Sequence, residues 1–430
     1  MKKFIIFLLI LLSTNLSAND YFNTLIKTAF KNNYFIKSYE KLVEKSKLNI
    51  KIANSYFLPT INFGYNFTQT NEPGSAAFFK SKQGKFTMSY YYKHMTDPPF
   101  VKNNQYIVSI MQPIFSKGNI YLSKKQAKLQ YEAYVDSLKQ IKREIKFQIF
   151  KTLINGYKIL DYIDIAKAVE KKSETYYNTI KNLYKNGTAL KSDLLFAKFN
   201  LEKAKVELNA TKNNLSKVEN IIKQLTGKKF KIKKIDFKYS DKLNNSELIN
   251  YALVHRDDLN ALKKYLEMAK IEIKKKRNEY LPSVYGFAQY ERNSDKVFQK
   301  EKDGITAGIG VKFNIFNGFR DVTNINRATE SYLQLKNNLL NQQQTIIREI
   351  NNAIIDFNNA KFAYNTYKSL VKSNKIALKL SENRFNQGIE RITTLTDMLT
   401  NYKTSLKELS KSRWELILKY YTCLFKAGKF

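Results

Sequence analysis

Residues 54–67 read "NSYFLPTINFGYNF", and residues 277–290 read "RNEYLPSVYGFAQY". Setting Pro59 on Pro282 fixes an offset of 223, and without any gap it also aligns Leu25 with Leu248, Ala29 with Ala252, Glu44 with Glu267, Lys47 with Lys270 and Ile50 with Ile273. Agreement sustained over about thirty-five residues identifies an internal duplication.

Downstream of the prolines a second offset holds. Ile114-Phe115 matches Ile315-Phe316, Ala127 matches Ala328, Tyr131 matches Tyr332 and Gly187 matches Gly388, all 201 positions apart. Phe115 to Gly187 and Phe316 to Gly388 are both 72 steps, whereas Pro59 to Ile114 is 55 and Pro282 to Ile315 is 33. The 22 extra residues of the first copy mark 71–103 as a surface loop, because only exposed segments tolerate insertion. The chain divides into a first repeat over 19–227, a linker over 228–245 and a second repeat over 246–430.

The element of fixed length carries Leu138, Ile141, Ile145, Ile149 and Leu153 at three-to-four spacing, and no proline lies between Asn119 and Tyr184. This predicts a helix of sixty-odd residues, about 100 Å long at 1.5 Å per residue. After the turn, Leu194, Leu201, Leu208, Leu215 and Ile222 recur every seven residues, with Ala197, Ala204, Thr211, Val218 and Leu225 at the other seam position. Leu395, Tyr402, Leu409 and Leu416 repeat the first register 201 positions on. Each copy therefore holds a long coiled-coil hairpin, reversed at Gly187 or Gly388 through a left-handed cap residue.

The segments between proline and Ile-Phe have a period of two. In "TINFGYNFTQ", Ile61, Phe63, Tyr65 and Phe67 alternate with Asn62, Gly64, Asn66 and Thr68; in "TAGIGVKFNI", Ala307, Ile309, Val311, Phe313 and Ile315 alternate with Thr306, Gly308, Gly310, Lys312 and Asn314. Large apolar groups on one side and small or polar groups on the other are the pattern of a transmembrane barrel strand. Strands are predicted at 60–70, 104–115, 283–291 and 305–316, the two middle ones alternating less cleanly. Pro59, Pro282, Phe115 and Phe316 stand at the membrane interface in this reading. Four strands cannot close a barrel, and an open edge in lipid would leave backbone groups unpaired, so several chains must share one barrel. Two chains would give eight strands and a filled interior; three would give twelve and a lumen.

Residues 1–18, "MKKFIIFLLILLSTNLSA", have the basic start, apolar run and small residues of a secretory signal peptide. The single cysteine, Cys423, excludes disulfides within the chain and a lipidated cysteine after the leader; it reads as a small packing residue. Lys plus Arg exceed Asp plus Glu by 74 to 37, a formal charge of +37. An exported chain does not meet nucleic acid, and the lysines are dispersed along helical faces, so the excess reads as solvated surface or as attraction to anionic lipid or solutes. An enzyme finds no support: His94 and His255 are far apart, and no nucleotide, dinucleotide or zinc motif is present. No cofactor or metal is expected. A secreted coiled-coil scaffold would explain the heptads without the strands, and an anionic-polymer binder would explain the charge without the leader.

The doubled "YFLP" and "EYLP", the "QPIF" step at Gln112–Phe115, the "NIFNG" step at Asn314–Gly318, and the turns "LYKNGTALKSDLLFAKFNL" and "RFNQGIERITTLTDMLTNY" resemble the TolC-type outer-membrane efflux family across essentially the whole mature chain. The resemblance implies a mainly α fold with a membrane β-barrel: a homotrimer with four strands per chain and an α-helical barrel in the periplasm. It implies an outer-membrane location and, as partners, a periplasmic adaptor (membrane fusion) protein and an inner-membrane efflux pump or ABC exporter. In the family an Asp follows the turn Gly by six residues, and in the second copy another often stands three further on, ringing the periplasmic mouth. Asp193 holds the first position here, while the second copy has Thr394 and then Asp397. Asp193 equally suits a helix's first turn, where a carboxylate stabilises the dipole. Relatives lock the closed tip with a Tyr three residues before the second Gly and an Arg two after it; here those positions are Phe385 and Glu390, with Arg391 adjacent. Together with Gly187 and Gly388 these form the expected hairpin tips and adaptor contact.

Overall fold

The computed structural model describes residues 20–430, so the leader at 1–18 lies outside the described residues. Two helices, α1 (residues 20–32) and α2 (Tyr34–Ser55), lead into strand β1 (Thr60–Thr70). Then come α3 (Pro73–Lys82), α4 (Met88–His94), β2 (Val101–Ser116), the long α5 (Asn119–Lys185) and α6 (Lys191–Thr226). The second half runs α7 (Asn245–His255), α8 (Asp257–Arg277), β3 (Ser283–Ser294), β4 (Lys302–Lys312), α9 (Arg320–Asn386) and α10 (Ile392–Lys426). Both α5 and α9 have 67 residues, and the bounds of α9 lie 201 beyond those of α5 (119 to 320, 185 to 386).

The chain forms two compact units. One comprises residues 20–42, 135–261 and 338–430, the other 43–134 and 262–337. The first is helical. Ile141, Ile145, Ile149 and Leu153 of α5 are buried with Leu208, Val218 and Ile222 of α6 in its largest apolar cluster. Along α6 the buried residues are Ala197, Leu201, Ala204, Leu208, Thr211, Val218, Ile222 and Thr226, and from Ala197 to Thr211 they keep the alternating three-and-four spacing of a coiled-coil seam. In α10 the seam includes Leu395, Leu399 and Leu416. Residues 228–244 have no regular structure, yet Ile232 and Ile235 are buried in the α5–α6 cluster, so this linker is strapped down by its side chains.

The second unit holds one antiparallel sheet in the order β1-β2-β3-β4. The clean alternators β1 and β4 are its edges, each with one open side. Phe63 faces Val108 and Tyr65 faces Tyr106 across β1 and β2, while Phe287 faces Gly308 across β3 and β4. Ile61, Phe63, Ile305 and Ile309 are 67, 70, 79 and 72% exposed, so the described residues leave most of the apolar face uncovered.

Two expectations are corrected. Segment 71–103 is not a plain loop: it contains α3 and α4, and its last three residues belong to β2, with Val101 and Asn103 buried. An inserted segment can form local helices of its own where capping is supplied, here by Glu72 to the amides of Gly74 and Ser75 and by Thr87 to that of Tyr90. Strand β4 runs over 302–312, so Phe316 lies beyond it. Ser283, the first residue of β3, pairs with Lys312, which leaves residues 313–316 no partner strand. Phe115 stays in its strand because a bulge after Pro113 lets it pair with Val284.

Candidate functional site

The hairpin tips are built alike. Gly187 has φ +74° and Gly388 +75°, a conformation that costs any other residue strain. Around them the amides of Thr188 and Ile389 donate to the carbonyls of Leu183 and Arg384, at 2.9 and 3.0 Å, closing the same six-to-one turn 201 positions apart. The residues that precede helices α6 and α10, Leu190 and Arg391, cap neither with a side chain. Asp193 stands in the first turn of α6, half-buried, where its charge meets the uncapped amides. The first turn of α10 has no acid; Thr394 and Asp397 are exposed, and neither side chain makes a hydrogen bond or ion pair among the described residues.

Phe385 is buried in the cluster that joins both hairpins at their tips, with Ile180, Ala197, Leu378, Ile392, Leu395 and Leu399. Glu390 is half-buried and accepts the Ser381 hydroxyl, which fastens the turn to α9. Arg391 is exposed. These three residues are thus close neighbours in the chain with separate roles: a core ring, a turn fastener and a solvated cation.

Sequence reasoning missed the polar links between hairpins. Glu382 of α9 accepts from Lys172 and, at 2.6 Å, from the Tyr176 hydroxyl, both on α5. Burial and then the bond to Glu382 push the Tyr176 hydroxyl well above its usual range, so it stays a donor. Glu207 of α6 takes Lys403 at 3.1 Å and Lys407, both on α10. Burial raises its carboxyl, but the two ammonium groups outweigh that and hold it below the ordinary range. The partners are separated by 196 to 210 positions, and none obeys the repeat offsets, so no local spacing announces them.

At the other candidate positions, Pro59 and Pro282 immediately precede β1 and β3. Tyr56, Phe57, Leu58, Phe115, Tyr280 and Phe316 around the strand ends are exposed. Among the described residues no helix is long and apolar enough to cross a membrane.

A sheet with two open edges and an outward apolar face, continuous with two long helical hairpins, is the fold of TolC-type outer-membrane channels. The chain belongs to the outer membrane efflux protein family, whose model matches residues 25–228 and 248–416. That family is one of channels rather than enzymes. Among solved structures, the CmeC outer membrane channel of Campylobacter jejuni is similar with a TM-score of 0.80 at 15% identity, covering 95% of this chain and 85% of that one. The outer membrane protein VceC of Vibrio cholerae gives 0.78 at 13% identity, covering 95% and 96%. CusC, described as undergoing conformational changes on folding and transmembrane channel formation, gives 0.79 at 14%, covering 95% and 92%. No curated protein sequence matches significantly.

Proposed function

We propose that this chain is the outer-membrane duct of a tripartite efflux or type I secretion assembly. Three copies would share a twelve-stranded barrel, and a periplasmic adaptor together with an inner-membrane pump or ABC exporter would supply direction and energy. The observation that carries the reading is the four-stranded sheet, whose edges β1 and β4 are both open while its apolar face is exposed. Lipid tolerates such a sheet only when other chains satisfy both edges. Four strands per chain, a trimer and a polar inner face then give a water-filled exit. The duct is passive; its exported signal is the leader at 1–18.

In this reading the hairpin tips form the periplasmic gate. The bonds from Lys172 and Tyr176 to Glu382, and from Lys403 and Lys407 to Glu207, support a closed arrangement in which the second hairpin is tied to the first. Adaptor binding along the hairpins opens the gate if it favours the untied state. Asp397, exposed and without a bonded partner among the described residues, is the residue we assign to the constriction, beside the neutral Thr394. Asp193 serves its helix. Three carboxylates near one axis attract multivalent cations.

Channels reconstituted in planar bilayers test both statements. Asp397→Ala is expected to abolish block by multivalent cations added from the periplasmic side. Asp193→Ala is expected to keep the block while loosening the closed state. Unchanged block in the Asp397 variant would move the pore assignment elsewhere on the tip, and a stable monomer with no membrane association would remove the duct reading itself.

A further inference from the structure

The 22 residues by which the first copy exceeds the second have folded onto one particular side of the sheet. The Gln83 amide donates to the Lys102 carbonyl at 2.6 Å and to Asn103 at 3.1 Å, and Asn103 in turn donates to Asn293 at 2.9 Å. Lys82 reaches Glu291 at 2.6 Å, which also accepts from Gln105 and Asn293. Lys85 bridges Asp295 at 2.6 Å and Glu301, in the turn between β3 and β4. The segment therefore leaves β1, crosses β2 and is tied down at the far end of β3 and β4. Asn66 donates to Gln105 at 3.1 Å, so the side being crossed is that of Asn62, Gly64, Asn66 and Thr68, opposite the exposed apolar face.

Gln83, Asn103 and Asn293 are all under 5% exposed in this contact, and Ala76 is fully buried, so α3 is seated rather than resting loosely. The insert carries Lys80, Lys82, Lys85 and Lys93 and no acid between Pro73 and Met95. Two of those cations are neutralised by the sheet. Outward it presents Lys93 and a run of aromatic and apolar side chains: Phe78, Met88, Tyr91, Tyr92 and Met95 are all exposed.

We infer that the inserts of three chains meet one another inside the barrel and plug its exterior mouth, each Phe78–Tyr92 surface packing on the same surface of its neighbours. This rests on the shared-barrel reading, which makes the polar face the lumen and the strand ends remote from the long helices the outer ends. The geometry leaves little choice. Twelve strands about 4.8 Å apart and tilted about 40° close at a backbone diameter of about 24 Å. Three helical rods about 10 Å wide need a circle of about 22 Å, no less than that backbone circle leaves once its own inward side chains are counted, so three inserts cannot stand apart in it. Rods tied to the inner wall of such a barrel have only each other to cover their exposed rings, and burying those rings is favourable. Lys85 is the latch: its bonds to Asp295 and Glu301 hold the insert across the opening. The duct would then be closed at its outer end by a device separate from the hairpin tips.

The only native thiol, Cys423, is buried, so engineered cysteines report without background. Tyr92→Cys, oxidised in the purified assembly, is expected to yield a disulfide-linked dimer that reductant dissolves. Trimers that persist on an unheated gel while Tyr92→Cys fails to cross-link would overturn the plug and leave the shared barrel standing; the absence of any trimer would remove the barrel reading instead. A second measurement probes the latch. Asn62→Cys, on the lumenal face beneath the insert, is expected to resist a bulky polyethylene-glycol maleimide applied to intact cells. Adding Lys85→Glu is expected to raise labelling several-fold, and reversing the partners with Asp295→Lys and Glu301→Lys to lower it again. Equal labelling in all three backgrounds would overturn the plug.

Discussion

Asn33 and Arg256 stand 223 positions apart at the same break in the duplicated chain, and each binds the end of a different helix. The Asn33 amide donates to the Leu225 carbonyl of α6 at 3.0 Å, and Arg256 donates to the Lys426 carbonyl of α10 at 2.8 Å. Those two carbonyls are themselves 201 positions apart. Both residues also start the next helix: Asn33 accepts the amides of Phe35 and Ile36, and Arg256 grips Asp258 through two bonds of 2.9 and 2.7 Å. One architectural joint is thus made with two chemistries. Asn33→Ala removes a cap and is expected to cost about 1–2 kcal/mol. Arg256→Ala also strips the half-buried Asp258 of its cation and removes a buried guanidinium, and is expected to cost about 2–3 kcal/mol. Arg256→Lys rescues little because an ammonium cannot make the fork. Thermal unfolding of the purified variants measures the order; an Arg256→Ala protein as stable as wild type contradicts it.

A pH signature is expected at Glu207. Its folded carboxyl lies below the ordinary glutamate range, because Lys407 and Lys403 outweigh burial. A depressed carboxyl contributes stability that is full above the unfolded value, fades as pH falls from there through the lowered folded value, and is absent below it. The melting-temperature gap between wild type and Glu207→Gln is therefore expected to be constant at neutral pH and to close in acid. A gap that widens on acidification would mean the ion pairs are not what holds α6 to α10.

Much of this was legible in the residues, for reasons that differ by element. Seam positions such as Leu201 and Leu208 declare themselves because helical packing repeats every seven residues, and the turns at Gly187 and Gly388 because few residues accept their backbone. Strand β1 is clear since large apolar side chains alternate strictly with small and polar ones from Thr60 to Thr68. The ends of β2 and β4 are not: whether Phe115 or Phe316 stays in a strand depends on a partner residue in β3, which no local pattern encodes. The insert misled for a similar reason. Its length marked it as tolerated at the surface, but Gln83, Lys82 and Lys85 find their partners up to 216 positions away. At the tips, Asp193 and Asp397 are marked only by the family's spacing from the turn glycine, while the carboxylates that bond across hairpins, Glu207 and Glu382, carry no such mark.

Cys423 is expected to be inert in the folded protein. It is fully buried beside Leu416 and Ala427, and burial pushes its thiol up to about 11. A thiol that is neither exposed nor ionised at neutral pH does not attack. Maleimide should modify the chain only after denaturation. Stoichiometric labelling of the native protein would show that the C-terminal end of α10 opens readily.

The last prediction concerns Glu382. This carboxylate accepts from both Lys172 and Tyr176, so one substitution cuts these two links from α9 to α5. The ion pair is partly solvated, with 40 and 27% of the two side chains exposed, and such pairs contribute at most about 1 kcal/mol. The Tyr176 hydroxyl adds about as much again, since losing its acceptor leaves a half-buried donor unpaired. Glu382→Ala is therefore expected to lower global stability only modestly, because the neighbouring cluster of Phe385, Leu378 and Leu395 remains. Its effect on a gate would be larger than its effect on folding: a closed state favoured by a few kcal/mol loses most of its bias when about 1–2 kcal/mol is removed. In planar bilayers Glu382→Ala should open more often than wild type by roughly tenfold. Glu382→Gln keeps an acceptor for Tyr176 but loses the charge that holds Lys172, so it should fall between them. Conductance unchanged in Glu382→Ala, with trimers intact, would mean that the link from α5 to α9 is present in the open state too and plays no part in closing the tip.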